Sequence, residues 1–350
     1  MNAVQKSPYA LPFRFQFFSS TGNPMRATGG ILGAIFSVLM GIYPSSAEVV
    51  SGLEKGAVLV ASCEGLSVWD REGVTSFQKY FHSGTAEKAA VVPWSDMIYD
   101  ACRLASGNYL CAAHEWVREV NPSGSVVWEY RVQKPVELKT CVPLPNGDVM
   151  TVDGERMELI QLTDQGRRVA RRIPVPADAK AAVHVRYNLL RRTSAGTWLV
   201  ALRSEKAFVE IDESGKELWR HAVPDLPVVA ERLQNGNTLM SWRGGLQEVA
   251  PDHRMVWELK AADVKEFSVV LFGGFHRLAN GNTVIVNSDW HRKEAGDNRV
   301  QVWEVDREKR VVWKLGVDAF EGKKPGCHEP RTGLVEHRLI GLQWLGGESP

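Results

Sequence analysis

Six residues stand seven places after the Gly of a recurring turn: Cys63, His114, Gly154, Arg203, Arg243 and Ser288. If those turns are equivalent points on similar units set around one axis, His114, Arg203 and Arg243 approach each other at one end of it. Cations converging in a concave site suit an anionic ligand group such as carboxylate, sulfate or phosphate. The alternative is that loop-end Arg and His are solvated or cap strand ends. Trp116, Trp242 and Trp290, with His291 beside the last, offer flat faces for sugar rings, or else pack the rim. His276 falls on an innermost strand, where it would line a channel or serve as a hydrogen-bonded structural His. Cys327-His328-Glu329 has ligand-type residues but no second ligand pair at suitable spacing, so it reads as a loop and no metal is expected. No nucleophile elbow, phosphate loop, zinc signature or carboxylate pair appears.

The elements that must position these residues are short strands. Asn280-Gly281 separates Phe275–Leu278 from Thr283–Val286, and an Asn-Gly pair between β-rich runs is a strong hairpin signal. A third strand, Val300–Val305, and a fourth carrying Val311, Val312 and Trp313 complete a unit. The first turn recurs at Gly56, Gly107, Gly147, Gly196 and Gly236. The second recurs at Gly73, Gly124, Gly166 and Gly215, with His253 and Lys309 in the last two copies. Four residues beyond stand Phe77, Trp128, Ala170, Trp219, Trp257 and Trp313, at intervals of 51, 42, 49, 38 and 56 residues. Four-stranded units with a period of about 40–50 residues indicate a β-propeller. The expected fold is all-β, a six-bladed propeller of four-stranded antiparallel blades, each docking Trp filling the gap to the next blade. A β-sandwich with coincidental Trp spacing is the alternative. In a propeller the first-to-second and third-to-fourth strand turns share one face. The second-to-third turns and the blade connections share the other, so the irregular residues, including Trp94, His114, His184, Arg203 and Arg243, gather there.

Length and charge agree with one closed ring. The chain has 350 residues and a net charge of +1, which argues against a polyanion-binding surface and hence against nucleic acid. Residues 1–47 lie outside the repeat. Arg26 precedes a 13-residue apolar run, Ile31–Tyr43, and Ser45-Ser46-Ala47 supplies small residues for cleavage. That is the pattern of a secretory signal peptide, with Met25 as the expected start. The apolar run is short against the roughly 20 residues of a membrane span, so no stable span is expected after cleavage, an uncleaved anchor being the alternative. The expected location is periplasmic or extracellular. Residues 48–350 then form one propeller domain, with the tail 318–350 supplying a strand, Leu339–Leu345, that completes the first blade. Five Cys remain. If Ser106-Gly107 centre a two-residue hairpin, Cys102 falls opposite Cys111 in a close pair and a disulfide is expected; a bulged turn would shift that register.

The grammar RLxNGNT … EVDxxGxxVWE, as in Arg232–Thr238 and Val209–Trp219, resembles quinoprotein-like (PQQ-like repeat) propellers over nearly all of residues 55–317. Quinoprotein dehydrogenases have eight blades and a vicinal cysteine pair beside the quinone. With six copies and no adjacent cysteines, the resemblance implies the repeat and no cofactor. Phe275-His276-Arg277-Leu278-Ala279-Asn280-Gly281-Asn282 looks like a reduced version of the His-before-NGN motif of bacterial arylsulfate sulfotransferase propellers, without that family's doubled His. Two functions are therefore carried forward. One is an exported, non-catalytic module that binds a small molecule, glycan or envelope protein. The alternative is a sulfotransferase-like enzyme with His276 as the transfer residue and Arg203 and Arg243 holding the anion.

Overall fold

A computed structural model describes residues 55–63, 65–81, 92–290, 300–316 and 339–346, with the backbone alone of 327–328 and 335–336. Residues 1–47, and with them the expected signal peptide, lie outside the described residues. Six four-stranded antiparallel sheets form the blades of a propeller. Blade 2 is typical: Ile98–Arg103 is innermost, followed outward by Tyr109–Ala113, Trp116–Val120 and Val126–Arg131. Blade 1 departs from this. Its innermost strand, Leu342–Trp344, pairs antiparallel with Ala57–Ser62, so distant parts of the chain share one blade. Among the described residues no helix is long and apolar enough to cross a membrane.

The repeated turns set the registers. In blade 2 the Leu104 amide donates to the Asn108 carbonyl and the Gly107 amide to the Leu104 carbonyl, at 2.8 and 2.9 Å. This is a three-residue loop with Gly107 at φ 87°, the left-handed slot of a bulged hairpin. It moves the pairing by one place from a two-residue turn. Cys102 therefore faces Leu110, and Cys111 faces Ala101. Since successive side chains point to opposite faces, the two thiols enter different interblade layers and both are free. The expected Cys102–Cys111 disulfide is thus corrected by the bulge. The second turn also needs positive φ, and His253 (68°) and Lys309 (69°) adopt it where the other copies use Gly.

The core is a set of layers between blades. Val58, Val60 and Trp69 of blade 1 pack against Val284, Val302 and Trp313 of blade 6. The docking Trp residues also reach forward: Trp257 Nε1 donates to the Arg307 carbonyl at 2.9 Å and Trp313 Nε1 to the Arg71 carbonyl at 2.8 Å. Filling this layer needs a large ring in each slot. In blade 3 the register corrects the expected Ala170, which is the exposed bulge residue, and puts Arg171 in the slot opposite Gln161. A groove of about 750 Å³ opens there between blades 3 and 4, beside Arg171, Arg192 and Trp198.

Candidate functional site

At the irregular end of the axis, three chain segments bring together His114, Glu137 and His184. Their ligand-type atoms all lie within 4.8 Å of one another. His114 follows the second strand of blade 2. Glu137 and Lys139 lie in the blade 2–3 connection, and His184 sits in the short helix Val183–Arg186 of the blade 3–4 connection. Backbone hydrogen bonds tie these segments. The Leu138 amide donates to the His114 carbonyl at 2.8 Å, and the Gly154 amide to the Glu137 carbonyl at 2.9 Å. The Arg186 guanidinium binds four carbonyls, of Ala179, Ala181, Gly154 and Glu155, and so pins the helix that carries His184.

Within the cluster, Lys139 Nζ is 2.7 Å from Glu137 Oε2 and donates to the His184 carbonyl at 2.6 Å. His184 Nδ1 lies 3.1 Å from the same Glu137 oxygen. Arg203 donates to the His184 carbonyl at 3.2 Å, with Nε2 of His184 at 3.5 Å. Trp94 and Tyr99 wall the imidazole of His114, at ring separations of 4.2 and 4.5 Å. Burial sets the electrostatics. It pushes Lys139 down to about 8, with Arg203's charge adding to the effect against Glu137. Burial would raise Glu137, but the His184 hydrogen bond and the Lys139 charge outweigh it and hold the carboxyl well below its usual range. Burial, then Lys139, places His114 well below the usual imidazole range, and burial lowers His184 and Arg203 as well. His114 is fully buried, and among the described residues neither ring nitrogen has a hydrogen-bond partner. An orphaned polar group of this kind costs about 1–3 kcal/mol.

The structure distributes the residues singled out in the sequence. His114 and Arg203 do meet, through His184. Arg243 borders them, but its guanidinium is half exposed and turned toward Asp225 at 3.6 Å. Trp290 lines a cavity of about 10 Å³ beside Arg203, room for about one water. Trp116 is fully buried, donating from Nε1 to Asp96 at 2.7 Å, and Trp242 is buried in the blade 4–5 layer, so neither offers a sugar a free face. His291 lies outside the described residues. His276 is half buried and level with Val284 on the next strand. Ser288, the blade-6 counterpart of Arg203, is four residues further along, roughly 13 Å at strand rise. The grouping of His276 with Arg203 and Arg243 therefore fails, because they occupy opposite ends of the strands. Across the inner strands, Asp100 of blade 2 accepts from Arg191 of blade 4 at 2.8 and 3.0 Å and from Thr140 at 2.7 Å. Sequence reasoning missed Glu137 and Lys139. They sit in a connection with no periodic signal, and only the rule that connections share the irregular face pointed toward them.

No family model matches the chain, and no curated protein matches it in sequence. Among solved structures, the chain is similar to a protein of unknown function from Bacteroides caccae, with TM-score 0.65 and 16% identity, covering 84% of this chain and 99% of that one. It is also similar to streptogramin B lyase, with TM-score 0.50 and 11% identity over 77% of this chain and 86% of that one. A catalytically inactive virginiamycin B lyase from Staphylococcus aureus with quinupristin gives TM-score 0.50 and 12% identity, over 81% and 91%. At such identities the likeness is one of fold and transfers no activity.

Proposed function

We propose that the chain is an exported, non-catalytic binding propeller whose irregular face takes an anionic group of its ligand or partner against Arg203. The observation that carries this reading is an excess of cation in a recess. Lys139, Arg203 and Arg243 stand against two carboxylates, Glu137 and Asp225. Arg203 Nε is buried with no hydrogen-bond partner among the described residues, although its NH1 is held by the His184 carbonyl. A guanidinium presents a planar fork that matches carboxylate, sulfate and phosphate. The adjoining cavity is too small for a quinone-sized molecule, so the body of the ligand would rest on the face, which favours an acidic glycan or protein side chain over a buried cofactor. The quinoprotein-like repeat grammar supports the scaffold rather than the chemistry. Export is supported by the apolar stretch Ile31–Tyr43 and by the disulfide at Cys63, a bond that persists in oxidising compartments.

Thermal melting with acetate, sulfate, phosphate and an aryl sulfate tests the reading, since a ligand that binds only the folded state raises the melting point. A rise that disappears in Arg203→Ala and persists in His276→Ala is expected. A rise with aryl sulfate that depends on His276 instead would return the transfer enzyme, and no rise with any of the four anions would overturn the anion site.

A further inference from the structure

We propose that His114, Glu137 and His184 form a binding site for one divalent transition-metal ion of the zinc class. Three features support it. First, the three donor atoms lie within 4.8 Å of one another. His184 Nδ1 and Glu137 Oε2 are 3.1 Å apart, close to the roughly 3.0–3.4 Å that separates two ligands each about 2.0–2.2 Å from a shared ion. Second, His114 is fully buried against an aromatic wall, with both ring nitrogens unpartnered among the described residues. A buried imidazole without partners is the reverse of what a structural His requires, and a metal would supply the missing partner. Third, the groups that orient ligands in metal sites are already present. Lys139 holds one lone pair of Glu137 Oε2 and leaves the others, and Arg203 holds the His184 carbonyl.

The donor set selects the ion. Two imidazoles and one carboxylate suit zinc, cobalt, iron or manganese, whereas calcium and magnesium prefer oxygen ligands. Lys139 and Arg203 oppose any dication, which raises the demand for strong imidazole affinity and disfavours the hard ions further. A metal on the Nδ1 lone pair requires the His184 proton to sit on Nε2, so the ring stays neutral and the 3.5 Å approach of Arg203 NH1 to Nε2 must open. Removing Arg203 abolishes the anion site but leaves all three metal ligands in place, so the two sites are separately testable.

The test uses the full chain stripped with a chelator and titrated with Co2+ and then Zn2+, followed by calorimetry and visible absorption. One saturable equivalent of Co2+, displaced by Zn2+, is expected. Affinity should fall at least ~100-fold in Glu137→Gln and in His184→Gln, more than the ~10–100-fold seen when only an outer partner is removed. Both ligands are partly exposed, so these variants should keep the metal-free melting point within a few degrees, which circular dichroism checks. His114→Gln is not relied on, because that site is in the core. Absence of a saturable equivalent in the unsubstituted protein, or unchanged affinity in the two variants, overturns the assignment.

Discussion

At the residue scale, the repeat consensus becomes a set of ion pairs. In the RLxNGNT turns the second Asn reaches a Glu of its own blade: Asn237 to Glu248 at 2.8 Å and Asn282 to Glu304 at 2.6 Å. The Arg reaches back to the preceding blade. Arg232 pairs with Glu210, and Arg277 with Glu248 at 3.1 Å. Each Arg also lies over that blade's docking Trp, with Arg232 5.5 Å from the Trp219 ring and Arg277 5.3 Å from Trp257. Glu248 is nearly inaccessible and also holds Arg307. Removing one partner of a buried pair costs about 3–5 kcal/mol because the other charge is left uncompensated. Glu248→Ala should lose that much in urea unfolding. Arg310→Ala is the control: the side chain is 74% exposed, its removal leaves the Asp306 contact to the backbone amide in place, and a pair with an exposed member contributes about 0–1 kcal/mol. Equal losses for the two would show that Glu248 is not a counterion in this sense.

At the element scale, adjacent blades touch through their outer strands and turns. His221, on the outermost strand Glu217–Ala222 of blade 4, faces His253 in the turn before Met255–Lys260 of blade 5, with the Nδ1 atoms 3.1 Å apart. Both rings stack with Trp219, at 5.6 and 5.3 Å. Burial, and then the charge of His253, lowers the His221 pKa below its ordinary value. The unfolded chain therefore binds more protons in the window below about pH 6.5, and stability rises with pH through that window. The melting point should drop between about pH 7 and pH 5 more steeply than in His221→Gln. Superimposable profiles would remove His221 as a source of acid sensitivity.

At the scale of the whole molecule, closure is the decisive feature. Leu342–Trp344 pairs with Ala57–Ser62, and Gly274 approaches Ile340 so closely that a Cβ there would sit 2.7 Å from the Ile340 carbonyl oxygen. The strand covers the inner edge of blade 1 and fills the layer against blade 6 through Leu342 and Trp344. A propeller keeps short sheet edges and protects them by packing blade against blade, and without this strand blade 1 has only three strands. Deleting residues 339–350 should therefore abolish the single cooperative melting transition, as read by circular dichroism and intrinsic Trp fluorescence. A deletion variant that melts as sharply and as high as the whole chain would show that the first blade holds without its closing strand.

The sequence by itself determined the six blades, their four-stranded order and the face on which irregular residues collect. Those follow from local chemistry: turns that demand positive φ, strands that alternate, and large rings recurring at one slot. It also brought Arg203 and His114 to the same end of the ring, because both follow a repeat Gly by the same number of residues. Tertiary structure decided everything that depends on register or on the aperiodic connections. One extra loop residue beside Gly107 separated Cys102 from Cys111. The length of a strand put His276 at the far end from Arg203. Packing of the connections placed Glu137 and Lys139, which no pattern announced, between His184 and His114. A local signal travels along the chain by a few residues, whereas a site on a propeller axis is assembled from connections more than 20 residues apart, and only the closed ring sets their distances.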